Sequence, residues 1–222
     1  MFQQEFALAL VGVIGTGVGV VASLIPVELL GKRDLHERVA KMWRLLDREI
    51  AHLLTECQEA QPVITESLQN LPAFDPSRPI TEAVDVLLMG VSHLSSQAWQ
   101  TVKSNGDFVD KAPEYVFHEL SLVYGAVGLT NAEMDRYSLY ISTSRDNSFY
   151  TANVEGHYKS LEKCFSGLFP KLQPIQQKVR EQGKIHSAKA KRLTWVILGL
   201  GLLAGIIFLG AIILFAILAT RP

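Results

Sequence analysis

Residues 6–25 have the sequence FALALVGVIGTGVGVVASLI, which contains four glycines and no charged residue. At 1.5 Å per helical residue these positions extend over about 30 Å, the thickness of the hydrocarbon layer of a bilayer. The five residues before them include no Lys or Arg, and the apolar run is longer than the roughly 7 to 15 residues usual in a secretory signal. The stretch therefore predicts a retained membrane-spanning helix rather than a cleaved signal peptide.

One side of this predicted helix consists of small or weakly polar residues. They recur mostly at steps of three and four positions, and small residues at such spacing let two membrane helices approach closely. The sequence leaves open whether the partner is a second span, a second copy of the same helix or water in a pore. The residues of this seam are Ala9, Gly12, Gly15, Thr16, Gly19 and Ser23.

A second apolar stretch occupies residues 193–219, LTWVILGLGLLAGIIFLGAIILFAILA, and again carries no charge. As a helix it would extend about 40 Å, so we expect it to tilt or to extend beyond the hydrocarbon layer. Gly201 and Gly205 repeat the four-residue glycine spacing and predict a close-packing surface of their own. Two such spans, joined by one long segment, predict a membrane hairpin.

Basic residues are concentrated next to both apolar stretches. Residues 32–48 contain six basic and three acidic residues, and residues 171–192 contain seven basic and one acidic. Because cytoplasmic flanks of membrane spans are enriched in Lys and Arg, we expect a plasma (inner) membrane protein with residues 32–192 in the cytoplasm and both termini outside. The residues predicted to contact anionic lipid head groups are Lys32, Arg33, Lys184, Lys189, Lys191 and Arg192.

The segment between the spans is predicted to be α-helical, since its apolar residues recur at helical spacing and no part alternates convincingly as a strand does. The whole chain is therefore assigned to the all-α class. Three domains follow: an N-terminal span at 1–30, a cytoplasmic helical bundle with membrane-proximal stalk helices at 31–192, and a C-terminal span at 193–222.

Proline and capping residues predict where the helices of this bundle begin and end. One helix is expected to start at Asp34 and to stop before Pro62, and another is expected over residues 81–103. Thr130 and Glu133 have the spacing of a capping box, in which a side chain satisfies the first amides of a helix. A new helix is therefore predicted to begin after Thr130.

Few residues in this sequence are arranged for chemistry. Glu49 and His52 have the E-x-x-H spacing of di-iron bundles, but such bundles need a second pair, which the sequence lacks. No G-x-S-x-G sequence occurs, and Cys57 and Cys164 lie in apolar helical patterns typical of core thiols. The sequence thus predicts no catalytic residue, metal or cofactor, and the acidic character of residues 49–170 argues against a nucleic-acid partner.

These patterns favour a non-enzymatic integral membrane protein, a membrane-anchored assembly or scaffold subunit. We expect it to contact anionic lipid and to associate with copies of itself, or with other membrane subunits, through the helical domain and the glycine-rich span. The alternative is a homo-oligomeric ion or small-solute channel, in which the first span lines the pore and the cytoplasmic bundle gates it. Access of water to Thr16 and Ser23 would distinguish the two hypotheses.

Overall fold

A computed structural model describes residues 2–69, 93–143 and 150–219. Over these ranges every element is an α-helix and there is no strand, which confirms the all-α prediction. In chain order the helices are α1 Phe2–Gln69, α2 Gln97–Lys103, α3 Gly106–Val109, α4 Glu114–Thr143 and α5 Tyr150–Ala219. They form two compact units, a central unit of Lys41–Gly183 and a terminal unit of Met1–Ala40 with Lys184–Pro222.

In the central unit, α1 and α5 lie side by side and antiparallel. Their buried residues recur at alternating steps of three and four, the spacing of a coiled-coil seam in which each side chain inserts between residues of the facing helix. On α1 this series is Trp43, Leu46, Ile50, Leu53, Cys57, Ala60 and Ile64. On α5 it is Val154, Tyr158, Leu161, Phe165, Leu168, Leu172, Ile175 and Val179.

Trp43 anchors one end of this core. Its side chain is fully buried, and its ring centroid lies 4.5 Å from that of Phe108 in α3. A Cβ atom added to Gly183 of α5 would lie 3.4 Å from the Cβ of Trp43, so the glycine permits the close approach of the two helices at this point. The short helices α2 and α3 and the long helix α4 complete the unit with Trp99, Val102, Leu120, Val123 and Val127 among its buried residues.

The terminal unit contains few buried residues and many exposed apolar ones. His36 of α1 and His186 of α5 touch, with their Nδ1 atoms 3.0 Å apart. Beyond this contact α5 exposes large apolar side chains over more than five turns, from Trp195 to Ile217. Among residues whose side chains are described, α5 is the one helix long and apolar enough to cross a membrane, and none of its most apolar segment is buried.

The prediction of a first membrane span stands untested. The backbone of residues 6–25 is helical within α1, but most side chains of this segment lie outside the described residues. The membrane hairpin therefore remains a prediction, whereas one apolar helix able to span a membrane is present in α5.

The predicted start of a helix at Asp34 and its predicted end before Pro62 are both wrong, since α1 runs without a break from Phe2 to Gln69. A proline inside a helix removes one backbone hydrogen bond and costs about 3 kcal/mol. Ala60 and Ile64, on either side of it, are buried in the seam against α5, and burial of such side chains offsets a cost of this size. Packing between helices thus overrides the local stop signal.

Two other predicted boundaries are also wrong. Thr130 does not cap a new helix; it is buried inside α4, and its hydroxyl donates to the carbonyl oxygen of Ala126 at 2.9 Å. Of the helix predicted over residues 81–103, residues 81–92 lie outside the described residues, and residues 93–96 are not helical. Only its last part forms α2, because side chains of other helices bind the backbone before it.

Candidate functional site

Glu49 of α1 lies at the centre of the most extensive polar cluster in the central unit. Its carboxylate accepts four hydrogen bonds, from the Ser95 hydroxyl at 2.8 Å, the Ala98 and Trp99 amides at 2.9 and 3.1 Å, and the Tyr124 hydroxyl at 2.7 Å. We call these five residues the Glu49 clasp. The two amides belong to the first turn of α2, whose own N-cap residue makes no side-chain capping bond. A carboxylate from α1 therefore satisfies the start of α2.

The surroundings of the clasp exclude water. Glu49 is 8% exposed, and the rings of Trp99 and Tyr124 stack with their centroids 5.2 Å apart. Burial, together with the negative charge of Glu49, raises the pKa of Tyr124 well above its ordinary value. A carboxylate has about four sites for accepting hydrogen bonds, and here four donors occupy them. Glu49 thus ties α1 to the first turn of α2 and to Tyr124 of α4.

Side chains of helix α4 bind the segment that precedes α2, in part through the backbone of that segment. The Asn131 side chain accepts from the Leu94 amide and donates to the Leu94 carbonyl, both at 2.8 Å. One turn further along α4, Asp135 lies 2.8 Å from the ring of His93. These side-chain bonds replace helical ones, which explains why residues 93–96 leave the predicted helix.

The E-x-x-H pair seen in the sequence does not converge on one point. Glu49 faces α2, as described, while His52 is mostly exposed and contacts Glu56 at 3.3 Å. Within the part of the chain that the structure describes, no group of three or more His, Cys, Asp or Glu side chains is arranged to hold a metal ion. The pair therefore serves two separate local contacts.

Both cysteines are reduced, and they differ in their surroundings. Cys57 is fully buried in the α1 seam, and burial raises the pKa of its thiol to about 11. Cys164 is partly exposed, and desolvation also raises its pKa. A raised pKa lowers the fraction of reactive thiolate at neutral pH, so neither thiol is activated as a nucleophile.

A second polar cluster joins α4 to α5. Glu133 accepts from the ring of His157 at 3.0 Å and from Arg136 at 3.4 Å. Nearby, the buried hydroxyls of Tyr137 and Tyr158 lie 3.1 Å apart, and burial raises the pKa of Tyr158. These groups satisfy one another and fix the register of the two helices.

Sequence reasoning missed the contact between His36 and His186 in the terminal unit. His186 is buried, and the two ring centroids lie 5.1 Å apart. The signal was weak, because each histidine is isolated in its own helix and the two are 150 residues apart. Only the antiparallel pairing of α1 with α5 brings them together.

The glycines of the predicted seam are exposed where they are described. Gly12, Gly15 and Gly19 are exposed, and a Cβ added to any of them, or to Gly201 or Gly205, would meet no described atom within 4 Å. Ala9, Thr16 and Ser23 have side chains outside the described residues. At the described glycines the structure shows no close neighbour that would identify a packing partner, and that partner stays a prediction.

The basic residues predicted to meet lipid head groups are of two kinds. Lys32 is paired with Glu28 at 2.6 Å and Arg33 with Asp34 at 2.7 Å. The hydrogen bond and charge of Lys32 lower the pKa of Glu28. The four residues on α5 are exposed and, within the described ranges, have no carboxylate at ion-pair distance: Lys184, Lys189, Lys191 and Arg192.

Sequence reasoning also missed an exposed apolar surface on α4. Tyr115, Leu122, Leu129 and Leu139 are each between 58% and 70% exposed, although they lie on a helix whose opposite side is buried in the core. The signal that could have found them is apolar spacing on two sides of one helix. Lys178 lies at one end of this surface, with its Nζ atom 5.8 Å from the Tyr115 ring centroid. The same Nζ atom pairs with the Glu119 carboxylate at 2.6 Å.

Comparison of the chain with protein-family models, with curated proteins and with solved structures finds no match to any of them. The function is therefore inferred from the contacts, burial and charge described above.

Proposed function

We propose that this protein is a non-enzymatic, membrane-anchored assembly or scaffold subunit. The observation that carries the proposal is the apolar end of α5, whose described side chains are mostly exposed from Trp195 to Ile217. A helix that is apolar on all sides needs surroundings without water, and a bilayer provides them. The central unit, by contrast, buries its apolar seam and ties its polar groups to one another.

The charges next to the apolar end support the membrane assignment. Lys184, Lys189, Lys191 and Arg192 are exposed, and each basic residue near an anionic leaflet contributes about 1 kcal/mol of attraction. In our proposal they hold α5 at the cytoplasmic surface of a plasma (inner) membrane. Residues 32–192 then lie in the cytoplasm, and the first span returns the N-terminus to the outside.

The contacts of the polar residues support a non-enzymatic role. Glu49, the most deeply placed carboxylate, is occupied by four donors from its own chain. The two thiols have raised pKa values rather than the lowered ones of nucleophilic cysteines. In our proposal the protein acts by contact, with copies of itself or with other membrane subunits.

The oligomeric state of the full chain in lipid nanodiscs tests the proposal. We expect particles that contain at least two chains. Thiol labelling tests the orientation, and an impermeant reagent should reach a Ser121→Cys variant only after the membranes are opened. A strictly monomeric chain at all concentrations would exclude an assembly subunit. Labelling of Ser121→Cys from outside intact cells would show that the proposed orientation is wrong.

The second candidate is a homo-oligomeric ion or small-solute channel, and the exposure of Gly15 and Gly19 along the first span favours it. In this arrangement the seam faces water, so Thr16→Cys and Ser23→Cys would react with water-soluble thiol reagents in membranes after Cys57 and Cys164 are replaced. Protection of both positions in every state tested would instead support packing of the seam against another helix.

A further inference from the structure

Helix α4 has an outward face that is apolar along most of its length. Its residues are all exposed and follow one another at alternating steps of three and four, the spacing that keeps one side of a helix in contact with a partner helix. Four of the eight are large apolar residues and two are small. In order they are Tyr115, His118, Leu122, Gly125, Leu129, Ala132, Arg136 and Leu139.

Two glycines lie in the middle of α4, Gly125 on the outward face and Gly128 beside it. Gly125 and its neighbour Gly128 are exposed, and an added Cβ at either would meet no described atom within 4 Å. Glycine is among the least favourable residues inside a helix. Its presence at two solvent-facing positions is explained if another backbone must come close there.

We propose that the outward face binds the outward face of a second copy of this chain, with the two α4 helices antiparallel. An antiparallel pair centred on residue 127 places large residues opposite small ones in both halves. Leu129 then faces Gly125 of the other copy, and Leu122 faces Ala132. At the two ends Tyr115 faces Leu139, and His118 faces Arg136.

This register explains the composition of the face. Each of the two central leucines meets a residue without a large side chain, so the helices can approach without overpacking. Ala126 and Gly128 flank the two-fold axis, where the backbones come closest. A contact related by two-fold symmetry must be complementary to itself, and few orders of large and small residues satisfy that condition.

The charges beside the face are compensated within each chain, so two copies can meet without strong repulsion. Glu119 pairs with Lys178 at 2.6 Å, and Asp135 lies 2.8 Å from the His93 ring. Glu133 is bound by His157 and by Arg136. Three of the four acidic residues of α4 are thus already matched with basic groups.

The size of the face also fits a second copy. Its four large side chains expose on the order of 400 Å² of apolar surface, within the range that marks interaction sites on soluble surfaces. A helix of 30 residues is about 45 Å long, and the flanking side chains add to the contact. The four large side chains alone supply about half of the roughly 800 Å² per partner of a standard specific interface, and the flanking side chains of α4 would supply the rest.

Disulfide trapping in the full chain tests the register, with Cys57 and Cys164 replaced by alanine. Leu122→Cys and Ala132→Cys chains are reconstituted separately and mixed in nanodiscs under mild oxidation. We expect a cross-linked dimer only in the mixture, because residue 122 of one copy faces residue 132 of the other. Cross-linking of Leu122→Cys with itself would show a parallel pair and overturn the proposal.

A Gly125→Leu variant tests the close approach without emptying the core. The added side chain has open space in a single chain but would clash with Leu129 of the second copy, so we expect self-association about 30-fold weaker or more. Gly156→Leu, at an exposed glycine of α5 with open space around it, serves as the control and should associate as the native chain does.

The proposed pairing of α4 helices rests on the proposed assembly function. The experiments test the interface and the assembly function separately. A chain that still forms dimers while Gly125→Leu has no effect would place the interface elsewhere and leave the assembly function standing. A native chain that is monomeric would reject the assembly function itself. Protection of Leu122→Cys from maleimide in a monomeric chain would show that another part of the same chain covers the face, which also overturns the proposal.

Discussion

Most of the described large apolar side chains of the central unit are buried, whereas most of those of the terminal unit are exposed. Trp43 has no exposed surface, while Trp195 is 73% exposed. Among the described residues of the terminal unit, the buried side chains are Val39, Ala40, His186 and Ala190. The central unit is stabilised by removing apolar surface from water, whereas the terminal unit exposes apolar surface that no described residue covers.

The contrast follows from how the apolar residues are spaced along α5. Up to Val179 they occupy alternating steps of three and four, which place them on one seam facing α1. From residue 195 onward nearly every position is apolar, so no single partner helix could cover them all. A change in pattern within one continuous helix thus separates a part that packs on α1 from a part that is apolar on all sides and able to span a membrane.

The largest effect is expected from replacement of Trp43, and replacement of Trp195 serves as its comparison. Trp43→Ala should lower the free energy of unfolding by about 3–5 kcal/mol, because it opens a cavity beside Phe108 and Gly183. Trp195→Ala should change it by no more than about 0.5 kcal/mol. Denaturant unfolding of the full chain in detergent micelles measures both values. Equal losses would show that the exposed tryptophan also belongs to a packed core.

A smaller effect is expected from the Glu49 clasp, which tests whether polar contacts stabilise the central unit. Glu49→Ala leaves two backbone amides and two hydroxyls without their acceptor, and should cost about 2–4 kcal/mol. Glu59→Ala, at an exposed position on a different side of α1, should cost less than about 0.5 kcal/mol. Thermal unfolding followed by circular dichroism compares the pair. If Glu49→Ala behaved like its control, water would have to replace the carboxylate at no cost.

The smallest effects are expected from two glycines of α5. Gly183→Leu should destabilise the protein by about 1–3 kcal/mol, since its Cβ already lies 3.4 Å from Trp43. Gly156→Leu has open space and removes a poor helix former, so it should stabilise by up to about 1 kcal/mol. Opposite signs in the same unfolding experiment would confirm that the approach of α1 and α5 is closest near Trp43. Equal signs would contradict it.

Part of the Glu49 clasp and of the outward face could be foreseen from the sequence, and part could not. The sequence singles out Glu49 only through an E-x-x-H spacing that lacks the second pair of a metal site, and the four donors that bind it come from positions 46 to 75 residues away. No local pattern encodes such a contact. Similarly, Leu122 and Leu129 have helical spacing. Whether their side chains face the core or the solvent depends on the position of α4 in the unit.

By itself the sequence determined the all-α class, the apolar end of α5 and the concentration of basic charge beside it. These are properties of composition and period, which each segment carries alone. Only the tertiary structure decided that α1 continues through Pro62, that Thr130 is buried within α4, and that Glu49 caps α2. Each of these depends on contacts between distant segments, because the free energy of burial between helices exceeds the local preferences that the sequence reveals.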